Sequence, residues 1–241
     1  MTQATRRDRR GRRVAAVLAV AAGLVLTGCT TLAPTAPSTQ SSSATTADAQ
    51  PTAAAIGDSI AIGWGVPADD AWPLVAATRL GWNLTDLGEG AAGFSKPGVN
   101  THDFDDQVSA AIRLRPQVVI VAATRNDAST AATAPATLER DTRAAIDRLS
   151  DALPHTTIIG MGSVWGATPP EKTAPVIDAA LKSAVLAVGG HWLPLGQTFL
   201  GHPTLMLADG IHPTSAGQEL LGSAVADAIA KARIEPGPAR G

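Results

Sequence analysis

An uninterrupted apolar run near the middle of the chain most constrains its fold. Residues 118–123 read Val-Val-Ile-Val-Ala-Ala, and the first four of them are β-branched. A continuous run of this kind is typical of a strand buried on both faces, as in a parallel sheet that helices cover on each side. The run therefore predicts the centre of a parallel sheet.

Shorter apolar segments and helical patterns alternate along the rest of the chain. Four further strands are predicted at 53–56, 83–87, 156–161 and 191–195. Helices are predicted at 70–80, 138–153 and 171–188, and a last one has apolar residues at helical spacing from Leu221 to Ile229. Ser215 to Gln218 predict a capping box at its start. Such alternation predicts an α/β fold, a three-layer α/β/α sandwich around a mainly parallel five-stranded, flavodoxin-like sheet.

The first 28 residues are unlike this body. Six arginines between Arg6 and Arg13 precede an uncharged run at 14–26, which is too short to span a bilayer as a helix and is typical of a signal peptide. The run ends in Leu26-Thr27-Gly28-Cys29, which resembles the lipobox of bacterial lipoproteins, whose cysteine is lipidated. We expect export and anchoring through Cys29 to the outer face of the bacterial cytoplasmic membrane. A short membrane anchor or an ordinary cleaved signal is the alternative.

Composition limits what the remaining chain can do. Residues 29–51 are rich in Thr, Ser, Ala and Pro, which predicts a flexible tether before a folded domain at 52–241. Cys29 is the only cysteine, which excludes a disulfide framework and a cysteine-based zinc cluster. Without residues 1–28, the 19 basic and 21 acidic side chains fall to 13 and 20, because six arginines and Asp8 are removed. That negative balance argues against nucleic-acid binding.

Two short motifs stand where an α/β fold places its chemistry. Gly57-Asp58-Ser59-Ile60 directly follows the first predicted strand, between it and an expected helix start. Asp209-Gly210-Ile211-His212-Pro213 lies in a loop before the last helix. An aspartate three residues before a histidine can accept the Nδ1 proton, which leaves Nε2 to accept a proton from a hydroxyl. A serine hydroxyl needs such a base, since it is a weak nucleophile at neutral pH.

These motifs, with Thr124-Arg125-Asn126-Asp127 after the central strand, make the chain resemble the SGNH hydrolases, also called GDSL-type esterases and lipases. The resemblance covers about residues 53–230. It implies that Ser59 is the nucleophile, that Asp209 and His212 complete the triad, and that the Asn126 amide donates to the oxyanion. It implies neither a metal nor an organic cofactor.

The chain departs from the family pattern at two places. The second block usually reads Asn-x-Gly-x-x-Gly, and counting from Asp86 puts Ala91 in the place of the last glycine. The oxyanion hole is therefore expected to combine the Ser59 N–H and the Asn126 side chain with the N–H of Ala91 or, after a shift of one residue, of Gly90. The third block usually has glycine where this chain has Thr124.

Other residues are candidates for substrate contacts. Trp64 and Trp165 are candidate walls of the pocket, and Arg125 is a candidate partner of a substrate carboxylate or sugar hydroxyl, or of a surface acid. His102 and the three aspartates at 103, 105 and 106 would suit a metal, but acids near a helix start are usually caps, and we expect no metal.

The resemblance predicts a monomeric serine esterase of the cell envelope that acts on a small-molecule, glycan or lipid ester through an acyl-serine intermediate. An O-acetyl transferase or esterase of envelope glycans is the enzymatic alternative. A non-catalytic, glycan-binding surface module with the same fold is the alternative from another class.

Overall fold

The sheet of the computed structural model, which describes residues 49–239, consists of five parallel strands. Their order is β2-β1-β3-β4-β5, with β3 at the centre. The strands are β1 (Thr52–Ile56), β2 (Asn83–Asp86), β3 (Val118–Ala122), β4 (Thr157–Met161) and β5 (His191–Leu193). All five predicted strands are present, with ends that differ by one or two residues, and the α/β prediction is confirmed.

Six α-helices cover the sheet. They are α1 (Trp72–Leu80), α2 (Phe104–Leu114), α3 (Ala128–Thr133), α4 (Pro135–Ala152), α5 (Ala174–Ala187) and α6 (Ser215–Ala232). One apolar cluster joins α1 and α6 to one face of the sheet, and a second joins α2, α4 and α5 to the other. Among residues 49–239, no helix has both the length and the apolar composition needed to cross a membrane.

The central strand divides its side chains between these two clusters. Val118 and Ile120 pack with α1 and α6, whereas Val119 and Val121 pack with α2, α4 and α5, and all four are fully buried. Successive side chains of a strand point to opposite faces, so an apolar run can supply both cores. This placement brings the loops after β1, β2 and β3 together at one edge of the sheet.

Helix α2 was not among the predicted helices. Its buried face carries Phe104, Val108 and Ala111 at helical spacing, together with the glutamine Gln107, so the apolar pattern is present and the prediction missed it. Asp103 caps the helix: its carboxylate accepts from the N–H groups of Asp105 and Asp106, and Asp106 Oδ2 accepts from Asp103 N. Two of the aspartates considered for a metal site thus form a capping box.

The predicted cap of α6 is wrong by one residue. Thr214 is the cap, and its hydroxyl accepts from Gly217 N at 3.2 Å. Gln218 does not fold back to the helix start. Its side chain is fully buried, donates from Nε2 to Ile60 O and accepts from Trp72 N, each at 3.0 Å.

The predicted signal peptide, Cys29 and the tether as far as residue 48 lie outside the described residues. Within the part of the chain that the structure describes, no group of three or more histidine, cysteine, aspartate or glutamate side chains is arranged to hold a metal ion.

Candidate active site

Ser59 lies in a series of tight turns directly after β1. Asp58 O accepts from Ala61 N and Ile62 N, and Ser59 O accepts from Trp64 N at 2.9 Å. Residues 59–65 are turns, so the helix start expected after Ser59 is not found there; a short 3-10 helix follows at Ala68–Asp70, and α1 begins at Trp72. The turns are fixed by buried side chains from distant helices, Gln107 of α2 on one side of Ser59 and Gln218 of α6 on the other. Neither glutamine was predicted as a site residue.

Ser59, His212 and Asp209 form one hydrogen-bonded chain. His212 Nε2 lies 2.9 Å from Ser59 Oγ, and His212 Nδ1 lies 2.7 Å from Asp209 Oδ2. A carboxylate only accepts hydrogen bonds, so Nδ1 carries the proton and Nε2 accepts from the serine hydroxyl. The arrangement can take a proton from Ser59 and hold the resulting imidazolium against a carboxylate.

The loop that carries the acid and the base is closed on itself. Leu207 N donates to His212 O at 2.7 Å, and Gly210 turns the chain between Asp209 and His212 with a φ of 67°. Asp209 Oδ1 accepts from the N–H groups of Ile211 and His212, at 2.9 and 3.0 Å. These contacts orient the carboxylate so that its other oxygen faces the imidazole.

The hydrogen bonds also keep Asp209 ionised. Partial burial opposes the charge, but the bonds from the His212 ring and from the backbone N–H groups of His212 and Ile211 outweigh it and lower the pKa of Asp209 from 3.8 to about 2. The Asp209 carboxylate is therefore ionised at neutral pH.

The loop after β2 brings candidate oxyanion donors to the same cleft. Gly90 and Ala91 line the cleft together with Ser59. Within residues 49–239, the N–H groups of Ser59, Gly90 and Ala91 donate to no protein acceptor. Ala91 has a φ of 63°, in the left-handed region that favours glycine, which agrees with its place in the motif. Which of the two amides completes an oxyanion hole stays a prediction.

Two side chains of the motif after β3, Asn126 and Asp127, hold the loop after β2 by hydrogen bonds. Asn126 Nδ2 donates to Ala92 O at 2.9 Å and lies 3.4 Å from Asp58 Oδ2. The buried carboxylate of Asp127 accepts from Phe94 N and Ser95 N, at 3.0 and 2.9 Å. Burial raises the pKa of Asp127, and these two hydrogen bonds oppose that shift. The sequence motif indicated a role for Asn126 but not the loop anchor at Asp127.

The cleft over Ser59 has a volume of about 400 Å³ and is partly apolar. Trp64 forms one wall: its ring lies 4.3 Å from the His212 ring, centroid to centroid, and 52% of the residue is exposed. The other side is formed by Val99 and Asn100, which follow a short loop held by Glu89, whose Oε1 accepts from Asn100 N at 2.6 Å. The complete lining is Ser59, Ile62, Trp64, Gly88, Glu89, Gly90, Ala91, Val99, Asn100 and His212.

Trp165 and Arg125 lie outside this lining. Trp165 is buried and donates from Nε1 to Ser163 Oγ at 2.7 Å. The Arg125 guanidinium stacks 5.0 Å from the Trp165 ring and lies 3.6 Å from Glu171. The structure therefore shows Arg125 with a surface acid, one of its two predicted kinds of partner. Contact of Trp165 or Arg125 with a substrate stays a prediction.

The sequence matches one family of known proteins and is similar to several solved structures. A model of the GDSL-like lipase/acylhydrolase family matches residues 55–220. A GDSL lipase of Mycobacterium tuberculosis is 26% identical over 166 residues, covering 66% of this chain and 69% of that protein.

Two solved structures show how far the fold is shared. The psychrotrophic esterase EstA from Pseudoalteromonas sp. has a TM-score of 0.62 at 14% identity, over 77% of this chain and 100% of EstA. Est24, a carbohydrate acetylesterase from Sinorhizobium meliloti, has a TM-score of 0.59 at 17% identity, over 76% of this chain and 100% of Est24. At these identities the likeness establishes the fold alone.

Proposed function

Because this chain belongs to the GDSL-like lipase/acylhydrolase family and is an ester-hydrolysing enzyme, we propose that it is a serine esterase of the cell envelope with Ser59, His212 and Asp209 as its catalytic triad. The observation that carries the triad is the hydrogen-bonded chain from Ser59 Oγ through the His212 ring to Asp209 Oδ2, at 2.9 and 2.7 Å.

In the first half of the reaction Ser59 Oγ attacks the ester carbonyl while its proton passes to His212 Nε2. The tetrahedral intermediate collapses when His212 returns that proton to the leaving alcohol, which leaves an acyl-serine. Asp209 remains a carboxylate throughout and stabilises the imidazolium. Water then attacks the acyl-serine with the same base, so the cycle requires no metal or organic cofactor.

The developing oxyanion requires donors that are free before the reaction. We assign the Ser59 N–H, the N–H of Gly90 or Ala91, and the Asn126 side chain. One Asn126 N–H is committed to Ala92 O, and the other, which makes only a long contact to Asp58, is left for the oxyanion. Loss of one such donor typically costs about 3–4 kcal/mol of transition-state stabilisation.

A glycan ester is the second candidate substrate. The cleft is open, and the half-exposed Trp64 ring stands beside His212. A flat aromatic face of this kind suits the C–H face of a sugar. Est24, a carbohydrate acetylesterase, has the same fold, so we propose an O-acetylated sugar as the glycan candidate, with transfer of the acetyl group to a second sugar as the variant reaction.

The test of the triad is hydrolysis of p-nitrophenyl esters of increasing chain length by the wild type and by Ser59→Ala. We expect saturable turnover that is lost in Ser59→Ala, with the far-ultraviolet circular dichroism unchanged. Ser223→Ala, a serine of α6 that does not line the cleft, is the matched control and keeps full activity. Equal turnover by Ser59→Ala would overturn the serine mechanism.

Two further measurements separate the remaining alternatives. Release of acetate from acetylated oligosaccharides faster than from the matched alkyl acetate supports the glycan candidate, and we expect Trp64→Ala to raise KM for the sugar but not for the alkyl ester. If no ester is hydrolysed, labelling of Ser59 by a fluorophosphonate distinguishes an enzyme with a narrow substrate from a binding module.

The anchor is tested independently of the activity. Our proposal of a lipid on Cys29 rests on the sequence around this residue, which lies outside the described part of the chain. Radiolabelled palmitate should enter the wild type expressed in a bacterial host but not Cys29→Ala. Equal labelling of the two proteins would exclude the lipoprotein.

A further inference from the structure

We infer that Thr124 is a positioning residue for the reaction at Ser59, because its hydroxyl joins the Asp58 carboxylate to the backbone N–H of Asn126 and so fixes the residue that carries the proposed oxyanion amide. The inference rests on the proposed function, in which that amide donates to the oxyanion. Thr124 itself does not line the cleft.

The hydroxyl of Thr124 has two partners on opposite sides of the site. Thr124 Oγ1 donates to Asp58 Oδ2 at 2.5 Å and accepts from Asn126 N at 3.1 Å. Thr124 is 1% exposed, so no water competes for either bond. One hydroxyl thus connects the residue before the nucleophile to the residue that carries the proposed oxyanion donor.

Asp58 connects Thr124 to the turn that carries Ser59, because its two carboxylate oxygens accept hydrogen bonds from different parts of the site. Oδ1 accepts from Ile60 N at 2.8 Å and holds the turn that carries Ser59. Oδ2 accepts from Thr124 and lies 3.4 Å from Asn126 Nδ2. A rotation of the carboxylate would therefore move the serine turn and the asparagine amide together.

The sheet brings these groups together. Strands β1 and β3 are paired in parallel with Ile56 opposite Val121, so the segments that follow them, with Asp58 and Thr124, leave the same edge side by side. A glycine, the residue usual at position 124 in the family, has no hydroxyl with which to bridge them.

The charge state of Asp58 supports the same role. Burial raises the pKa of Asp58, whereas the hydrogen bond from Thr124 lowers it. The hydroxyl of Thr124 therefore favours the ionised form of Asp58, which accepts from Thr124 at Oδ2 and from Ile60 N at Oδ1.

The experiment compares ester hydrolysis by the wild type, Thr124→Val, Thr124→Ser, Asn126→Ala and the double variant Thr124→Val/Asn126→Ala. Valine keeps the shape of threonine without the hydroxyl, and serine keeps the hydroxyl. We expect Thr124→Val to lower kcat about tenfold or more with KM within about twofold, and Thr124→Ser to restore kcat to within about threefold of the wild type.

The double variant tests whether Thr124 acts through Asn126. We expect Asn126→Ala alone to lower kcat by about 10²-fold or more. Adding Thr124→Val to that variant should change kcat by less than about twofold, because the amide that the hydroxyl orients is gone. Losses that multiply in the double variant would overturn the inference, as would an unchanged kcat in Thr124→Val.

A matched control removes a buried threonine hydroxyl elsewhere. Thr142 of α4 is 1% exposed, and its Oγ1 has no hydrogen-bond partner among residues 49–239. Thr142→Val should keep the wild-type kcat, and a loss like that of Thr124→Val would mean that the effect is general destabilisation. If the wild type has no turnover, or if Ser59→Ala is equally active, the proposed function fails instead; an active wild type with an unaffected Thr124→Val overturns this inference alone.

Discussion

The side-chain amide of Gln107 pairs with both backbone polar groups of Gly57. Gly57 N donates to Gln107 Oε1 and Gln107 Nε2 donates to Gly57 O, each at 2.9 Å, and both residues are buried. Gly57 directly follows β1 and lies two residues before Ser59, so helix α2 fixes the segment that leads to the nucleophile. On the other side of Ser59, Gln218 of α6 holds Ile60 O and Trp72 N in the same manner.

Gln107→Leu should therefore be both less stable and less active. The substitution leaves the buried N–H and C=O of Gly57 without this partner, which costs about 2–4 kcal/mol of the free energy of unfolding. We also expect a lower kcat, since the Ser59 turn loses its anchor. Urea denaturation and ester hydrolysis measure the two effects.

Gln117→Leu is the control for this prediction. Gln117 also contacts backbone groups, accepting from Thr52 N and donating to Gly237 O, but it is partly exposed and lies at the amino end of β1 and β3, the opposite end from Ser59. Water can replace its amide, so we expect a loss below about 1 kcal/mol and an unchanged kcat. Equal losses in the two variants would contradict a special role for Gln107.

The three inner strands, β1, β3 and β4, were predictable because each contains an apolar run that is buried between the two layers of helices. The composition of Val118–Ala122 alone indicates a central strand, since a continuous run of β-branched residues is typical of the centre of a parallel sheet. Helix α2 has apolar residues at helical spacing that the prediction missed, but the burial of its Gln107 is explained only by the partner Gly57, 50 residues away. The role of Gln107 is visible only in the tertiary structure, where its side chain contacts Gly57.

The candidate site also has a part that the sequence predicts and a part that depends on tertiary contacts. Ser59, Asn126, Asp209 and His212 were predicted from short motifs through the resemblance to the family; the structure joins Ser59, His212 and Asp209 by hydrogen bonds, and the oxyanion role of Asn126 stays a prediction. The hydrogen bond from Thr124 to Asp58 could not, since a sequence shows only that a glycine is missing and not what the replacing hydroxyl contacts. The cap of α6 was predicted one residue too late, at Ser215 instead of Thr214, because a sequence does not show which of two neighbouring hydroxyls accepts the hydrogen bond.

Asp209→Asn should lower kcat about 10³- to 10⁴-fold with little change in KM. An amide cannot stabilise an imidazolium, and its NH₂ group can hold the imidazole in the wrong tautomer. Steady-state hydrolysis of a p-nitrophenyl ester measures the loss. The control is Asp227→Asn, whose exposed carboxylate pairs with Arg79 on the surface, at 3.1 Å; a comparable loss there would show that the effect is not specific to the triad.

Ala91→Gly should stabilise the protein slightly. Ala91 has a φ of 63°, which costs a residue with a Cβ about 1 kcal/mol and costs glycine almost nothing. Part of the gain is lost because glycine is more flexible in the unfolded chain, so we expect an increase of about 0.5 kcal/mol in the free energy of unfolding. Ala92→Gly, at a fully buried neighbour without a positive φ, should instead lose about 1 kcal/mol or more. The same sign in both variants would contradict the assignment of strain to Ala91.

Asp86→Asn should make stability less dependent on pH. Burial raises the pKa of Asp86 from 3.8 to about 6; the hydrogen bond from Gly88 N opposes this shift and the charge of Asp58 adds to it. The folded protein therefore holds this proton more tightly than the unfolded chain does. Stability falls as pH rises from about 4 through about 6, and the penalty is complete above that range.

Asparagine is neutral and can still accept from Gly88 N through Oδ1, a bond of 2.9 Å in the wild type. We expect Asp86→Asn to be more stable than the wild type by about 1–2 kcal/mol at pH 7.5, less than the full pKa difference implies because the side chain is only partly buried. The two proteins should become equal below about pH 4. Urea denaturation of both across pH 4 to 8 measures the difference, and a gap that does not close on acidification would show that the carboxylate charge is not its cause.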